Sequence, residues 1–422
     1  MIRNPFLLFS PFLCLYIIYI LFFPPDMVGD QPRYLKFAQN LINGFYSPPA
    51  PDINLTNGPG YPLFLVPFVA LHLPVICITL MNAVLYYLSI ILLFKALKRV
   101  VELNIALLFS MFWACYYVAY QTLNMVLTET FTFFIVSVLI FSLVKAFNTS
   151  NFKESKRYNY MAGLTIGILV LTKLLFGYVL LLMVAGCMIL WLKDRRNVNY
   201  RKGLFILLIG FTTVTPYLIY TYHLTGRIMY WSTGSDNLYW MSTPYDDEYG
   251  DWKGRLNLGT VSMGNYNIPG ADDTLQAHHG NDFKKIYQYK GLERDDAFKR
   301  IAINNIKSNP FKYGENIIYN IGRLIFHYPY SYAVQRPKIL LVFPINAIVF
   351  TLILFCLVPT IMNWRKIIYP LRFMLFFCFI YLGLSSLVSA YVRMFTVIVP
   401  ILLFWFAFII NKSIKIYIKF NN

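Results

Sequence analysis

Ten apolar runs, most of them close to the length that crosses a bilayer, set the first constraint on this 422-residue chain. They fall at 6–24, 74–94, 104–122, 124–144, 159–172, 174–192, 203–222, 339–361, 373–390 and 395–411, each bounded by charge or by Pro and Gly. A hydrocarbon core of about 30 Å takes roughly 20 apolar residues in a helix, because lipid offers no partner to an unpaired backbone N–H or C=O. With 58% hydrophobic and only 13% charged residues, the chain also carries more apolar surface than a compact water-soluble core can hide. The expectation is an all-α polytopic membrane protein with about ten transmembrane helices, which excludes a water-soluble enzyme and a disordered chain. The first run is read as a retained span, since it is long and no small-residue cleavage pattern follows it. Residues 61–73 are apolar but contain Pro67 and end before Pro74, so they are expected to lie along the interface or re-enter. The six cysteines sit inside apolar runs without paired spacing, as buried small side chains rather than a disulfide framework or zinc site.

The net charge of +18 would suggest nucleic acid in a soluble chain, but its distribution gives a different reason. With the amino terminus in the cytoplasm, Arg3, the clusters 95–99, 145–157, 193–202 and 365–372, and Lys412, Lys415 and Lys419 all fall on one side. That side has nineteen basic and three acidic residues, and the other has eighteen basic and sixteen acidic. This is the positive-inside bias, so no nucleic-acid partner is expected and both termini are placed in the cytoplasm. The chain divides into a transmembrane module at 1–222 with a first external loop at 25–60, an external segment at 223–337, and carboxyl-terminal helices at 338–422. The external segment is expected to be mixed and mostly helical, with a helical pattern over 293–326 broken at Pro310, and to pack on the first loop and the span ends. Almost all the acidic residues lie in or beside these two hydrophilic stretches, where proton-transfer chemistry would be sought.

In the first loop, Asp30 precedes an amphipathic helix with Pro32 in its first turn, apolar Leu35, Ala38, Leu41 and Ile42, and an end at Gly44. Asp30 and Arg33 are three apart and share one helix face. They can act on the same group, or Asp30 can cap the helix while Arg33 contacts headgroups. Lys173 between two apolar runs and Arg393 beside Tyr391 stand at external span ends, as phosphate ligands or as interfacial anchors. Glu129 opens an apolar helix, as a second acidic residue of the same cavity or as a charge on the helix dipole. Asp272, Asp273, His278 and His279 have metal-compatible side chains, but their spacing matches no established motif and no metal ligand is assigned. Asp236, Asp246, Asp247, Glu248 and Asp251 border an acceptor groove or form a solvated acidic loop.

The stretches GDQPRYLKFAQNLINGFYS at 29–47 and PGYPLF at 59–64, directly after a first span, resemble the glycosyltransferase C superfamily. Within it they are similar to the branch of bacterial aminoarabinose lipid A transferases and protein O-mannosyltransferases. Weaker likenesses are VLTETF at 126–131, VLTKLLFGY at 170–178, TGRIMYWSTGSDNLYW at 225–240 and AYVRMFTVIVP at 390–400. The resemblance implies a transferase that takes a polyprenyl-phosphate-linked sugar at the outer membrane face, with a hydroxyl of a surface glycan, glycolipid or protein as acceptor. It implies Asp30 as the catalytic carboxylate and directs Lys173 at the lipid phosphate. Arg33, Tyr34, Tyr61, Glu129, Lys173 and Arg393 form the expected substrate-binding set. Gln31 stands where some relatives have a second acidic residue, and Asn57-Gly58 where some have a Lys before the proline motif. A cofactor is not expected, and participation of a divalent cation stays open. Composition rich in Ile, Lys, Asn, Phe and Tyr, with a compact chain, points to a bacterial inner membrane. A lipid-linked sugar carrier and a polysaccharide polymerase or ligase are the alternatives, the first disfavoured by the concentration of polar residues in loops.

Overall fold

The computed structural model describes residues 4–232, 234–254, 268–334 and 339–413, and every regular element among them is helical. Arg3, Lys415 and Lys419 lie outside the described residues. Helix α1 (Pro5–Phe22) leads into the first loop, which holds α2 (Gln31–Ile42) and α3 (Gly60–Ala70). There follow α4 (Val75–Leu97), α5 (Leu103–Ala114), the one-turn α6 (Tyr117–Tyr120), α7 (Thr128–Asn148), α8 (Phe152–Thr172), α9 (Leu175–Lys193) and α10 (Val198–Thr225). The hydrophilic segment contributes α11 (Gly234–Met241), α12 (Ala271–Ile286), α13 (Gly291–Ser308) and α14 (Pro310–Phe326). Helices α15 (Ile339–Met362), α16 (Tyr369–Ser386) and α17 (Val392–Ser413) complete the fold. Eight helices, α1, α4, α7, α9, α10, α15, α16 and α17, are long and apolar enough to span a bilayer. The chain is an integral multi-pass membrane protein.

Two of the ten apolar runs form something other than one long apolar helix. The run 104–122 is split at Cys115 and Tyr116, where the backbone leaves the helical region. The split is stabilised from outside. The Ala114 carbonyl, left without an intrahelical partner at the end of α5, accepts from Tyr16 OH (2.6 Å), the Trp113 carbonyl accepts from Tyr86 OH (2.5 Å) as well as from Tyr116 N–H (3.1 Å), and the Tyr116 hydroxyl bonds Asn346 of α15. The run 159–172 is the latter part of α8, whose first turns carry Lys153, Glu154, Lys156 and Arg157 and therefore belong at a polar boundary. Within 61–73, α3 has eleven residues with Pro67 inside it, too few to cross.

Contacts between helix ends sort the bundle into two ends. Lys145, closing α7, bonds Glu154 at the start of α8 (2.6 Å), and Lys202 near the start of α10 reaches Ser155 (3.0 Å). At the opposite end Lys173, following α8, meets Glu129 at the start of α7, and Arg393 at the start of α17 meets Asp30. The hydrophilic segment covers this second end. It has its own small apolar core of Tyr239, Trp240, Leu275, Phe283, Ile286 and Phe298. Asn320 of α14 anchors it to the turn before α17, donating to the carbonyls of Ser385 (3.2 Å), Ser386 (3.0 Å) and Val388 (2.6 Å) while accepting from Ala390 N–H (2.9 Å). Leu55 of the first loop donates to Ser232 Oγ (3.0 Å).

Helices α8 and α10 approach closely through small residues, as lipid-embedded helices do when dispersion rather than the hydrophobic effect holds them together. Gly163 and Gly167 lie four apart on α8. A Cβ at Gly163 would fall 2.5 Å from Ile209 Cβ, and one at Gly167 would fall 2.4 Å from Thr213 Cβ. Because α8 ends at Lys173, this seam sets the height of the lysine. Gly167→Leu is expected to destabilise the protein by about 1–3 kcal/mol through overpacking, seen as a lowered midpoint of thermal unfolding in detergent, while Gly186→Leu, at a position open on all sides, leaves the midpoint unchanged.

Candidate active site

Four separate elements bring five charged side chains together at the second end of the bundle. Asp30 occupies the N-cap position of α2, but its backbone is already helical and its side chain makes no capping bond. The carboxylate is taken by cations instead. Arg33 Nη2 lies 2.8 Å from Asp30 Oδ1, and Arg393 Nη2 lies 3.0 Å from Asp30 Oδ2. The reading of Asp30 as a helix cap is thereby corrected, because two guanidinium groups outcompete the backbone N–H groups of α2. Glu129, in the first turn of α7 and 1% exposed, receives Lys173 Nζ at 2.9 Å, with Arg393 Nε 3.9 Å away. Arg393 thus bridges the two carboxylates. It also lies 5.6 Å from the ring centre of Tyr391.

Three cations against two carboxylates leave one net positive charge in the cluster. Asp30 and Arg393 keep 31% and 35% of their side-chain surfaces exposed, so the cluster is open to a ligand while Glu129 at its base is closed. Such a site attracts an anion, and Arg presents the forked donors that match a phosphate. Burial works to raise the Asp30 carboxyl pKa, but the charges of Arg393 and Arg33, the Arg393 hydrogen bond and the charge of Lys173 outweigh it and hold the pKa below the usual carboxylate value. Asp30 is therefore ionised at neutral pH.

The first-loop residues around the cluster are held by close backbone approach. Asn57 Oδ1 accepts from Arg33 Nε (2.7 Å), Asn57 Nδ2 donates to Tyr34 OH (2.9 Å), and the Asn57 carbonyl accepts from Tyr46 OH (2.7 Å). Next to it, Gly58 and Gly60 lie against the end of α8: a Cβ at Gly58 would be 1.9 Å from the Leu171 carbonyl oxygen, and one at Gly60 2.6 Å from Thr172 Oγ1. Only glycine permits this contact, which seats the loop directly beside Lys173. Gln31, where some relatives have an acid, accepts from Val126 N–H (2.8 Å) and ties α2 to the turn before α7. Tyr34 and Tyr61 are buried behind Arg33, ring centres 5.2 Å apart and edge to face, with no hydrogen-bond partner for the Tyr61 hydroxyl among the described residues.

The sequence did not single out Asn57 as an Arg33 partner, nor the buried supports of the covering segment. Lys253 pairs with Asp251 at 2.6 Å with both side chains 1% exposed. Asp251 also accepts from Ser331 N–H (3.1 Å), and Trp252 N–H donates to Ser389 Oγ (2.8 Å), four residues before Arg393. Arg323, fully buried, donates to the Tyr249 carbonyl (2.7 Å) and to Asn320 Oδ1 (3.1 Å). Asp251 is therefore an internal strut rather than a groove-bordering acid. Asp272 and Asp273 sit in the first turn of α12, whereas the histidines further along it face Glu248.

Comparison with solved structures bears out the resemblance at the level of fold. The chain is similar to the Archaeoglobus fulgidus oligosaccharyltransferase tethered to an acceptor peptide containing the NVT sequon, with a TM-score of 0.51 and 12% identity over 96% of this chain. The match covers 49% of the oligosaccharyltransferase, so this chain spans about half of its length. It also matches ArnT from Cupriavidus metallidurans bound to undecaprenyl phosphate, with a TM-score of 0.42 and 11% identity, covering 95% of this chain and 76% of ArnT. No family model and no curated protein matches the sequence.

Breaking the Glu129–Lys173 pair from one side leaves a charge buried at the base of the cluster. Lys173→Met is expected to destabilise by about 3–5 kcal/mol, and Lys173→Met combined with Glu129→Gln to recover much of the loss, both read from unfolding in detergent. For Asp30, a pKa lower in the folded than in the unfolded state means stability that is present above the unfolded value and lost as pH falls through the folded one. The unfolding midpoint should therefore drop below about pH 4 more steeply in the wild type than in Asp30→Asn.

Proposed function

We propose that the protein is a membrane glycosyltransferase that moves a sugar from a polyprenyl-phosphate donor to a hydroxyl of a surface glycan, glycolipid or protein. The observation that carries this reading is the Asp30 carboxylate held between Arg33 and Arg393 in a cluster with one excess positive charge. Each part answers a requirement of the reaction. The acceptor hydroxyl oxygen attacks the anomeric carbon from the face opposite the phosphate, its proton passes to Asp30, and the bond between anomeric carbon and phosphate oxygen breaks with its electron pair on the phosphate. Configuration at that carbon inverts. The departing polyprenyl phosphate gains charge as the bond breaks, and Arg33, Arg393 and Lys173 are positioned to stabilise it.

The two arginines lower the proton affinity of Asp30. A phosphate that engages them offsets their field, so donor binding raises the basicity of Asp30 just where a base is needed. The hydrocarbon tail needs an apolar path beside the loop. An open groove of about 490 Å³ offers one, its apolar wall formed by Leu35 of α2, Phe68 and Val69 of α3, and Leu73, Val75 and Ile78, with Lys36, Gln39 and His72 on its polar side. The orientation follows from charge: the end carrying Lys145, Lys202 and the other basic clusters faces the cytoplasm, and the Asp30 end faces outward from a bacterial inner membrane.

Transfer assayed in membranes with a radiolabelled polyprenyl-phosphate sugar tests the reading. Asp30→Asn should lower turnover by about 100-fold or more with little change in donor binding, and Arg393→Met should weaken donor binding as well. Full turnover in Asp30→Asn removes the base and with it the mechanism.

A further inference from the structure

Glu248, His278 and His279 meet within the covering segment, away from the Asp30 cluster. Glu248 lies in the turn after α11 and the two histidines are neighbours on α12. Glu248 Oε1 is 2.9 Å from His278 Nδ1 and 3.0 Å from His279 Nε2, and Glu248 Oε2 is 2.9 Å from the same His279 nitrogen. One potential ligand atom from each residue falls within 4.8 Å of the other two. Glu248 and His279 are each 2% exposed, while His278 keeps a partly open side.

The surrounding hydrogen bonds constrain where protons can be. Tyr239 OH donates to Asp282 Oδ2 at 3.1 Å, and a carboxylate can only accept, so the single phenolic proton is used there. The Tyr239 oxygen, 2.7 Å from His279 Nδ1, must then accept from an Nδ1–H. In a neutral imidazole that leaves Nε2 bare, with its lone pair aimed at both oxygens of a buried carboxylate. The clash of lone pairs is relieved either by a proton on Nε2 or by a metal ion that both groups ligate, and the second histidine on the same carboxylate oxygen favours the metal. On the other side Thr243 Oγ1 donates to Glu248 Oε2 (2.5 Å), and the Tyr245 ring stacks on His278 at 3.7 Å between centres with planes 8° apart, fixing that ring's orientation.

We infer that Glu248, His278 and His279 bind one divalent cation of the zinc class, with water in the remaining position on the open side of His278. Two imidazoles and a carboxylate suit zinc, and a histidine whose second nitrogen is held by a hydrogen bond is the usual outer support of such a ligand. The ion fastens α12 to the turn at 243–248. That turn runs on into Asp251, Trp252 and Lys253, which bind Ser331 and Ser389, so the metal braces the wall beside Arg393 without entering the Asp30 cluster.

The test uses the full chain in detergent, stripped with a chelator, dialysed and titrated with zinc, with metal content and unfolding midpoint as readouts. Wild type should take up one zinc per chain and unfold at a higher temperature when loaded. His279→Gln should take up none and show no zinc-dependent shift. Tyr239→Phe, which keeps all three ligands and removes only the outer hydrogen bond, should bind zinc about 10-fold more weakly or worse. Wild type that binds no zinc and whose midpoint is indifferent to both chelator and metal identifies the cluster as an imidazolium–carboxylate pair and overturns the inference. So does equal uptake by wild type and His279→Gln.

Discussion

Arg393 reaching both Asp30 and Glu129 is the interaction on which the arrangement of this protein depends. It joins the first polar loop, the start of α7 and the start of α17, elements separated by most of the chain, and Lys173 at the end of α8 completes the set through Glu129. A carboxylate as buried as Glu129 is tolerable only when paired, so the cluster constrains the helices that carry it as much as the helices position the cluster. The same electrostatics leave one positive charge uncompensated at the open side, which makes a structural knot also a place for an anion.

The supports of this knot are mostly uncharged. Glycines at 58 and 60 let the first loop rest on the α8 backbone, and glycines at 163 and 167 let α8 rest on α10. Asparagines then serve as connectors: the half-buried Asn57 holds Arg33 and Tyr34, while the buried Asn320 binds four backbone groups in the turn leading to α17. At the lipid boundary, where water cannot substitute for a lost partner, such side chains satisfy backbone groups that an irregular turn leaves unpaired. The tyrosine hydroxyls at the end of α5 do the same for a helix that stops inside the bundle.

The chain shares its fold with an oligosaccharyltransferase at an identity of 12%, which is a level at which side chains have been almost wholly exchanged. What persists under such exchange is the succession of apolar helices and polar loops. What the cluster itself holds is an ionised acid with both oxygens on arginines and, paired with Glu129 beneath it, a lysine.

Much of the fold and part of the site were legible in the sequence. Apolar runs define spans because lipid imposes one solution on the backbone, and Asp30 with Arg33 share a helix face because three residues make nearly one turn. The pattern D-x-x-R followed by P-G-Y-P pointed to the loop that carries the acid. The Gly163-x-x-x-Gly167 seam was not singled out in the sequence, because two glycines four apart mark a close contact only once the partner helix is in place. Tertiary structure decided the rest, for reasons of distance and burial. That Asp30 binds guanidinium rather than capping its helix, that Lys173 faces Glu129 rather than snorkelling outward, and that Glu248 rather than Asp272 meets the histidines of α12 all depend on contacts between residues far apart in the chain. Local periodicity fixes which face of a helix is apolar, but a charge in a bundle finds its partner only when the helices have packed, and no spacing rule encodes that meeting.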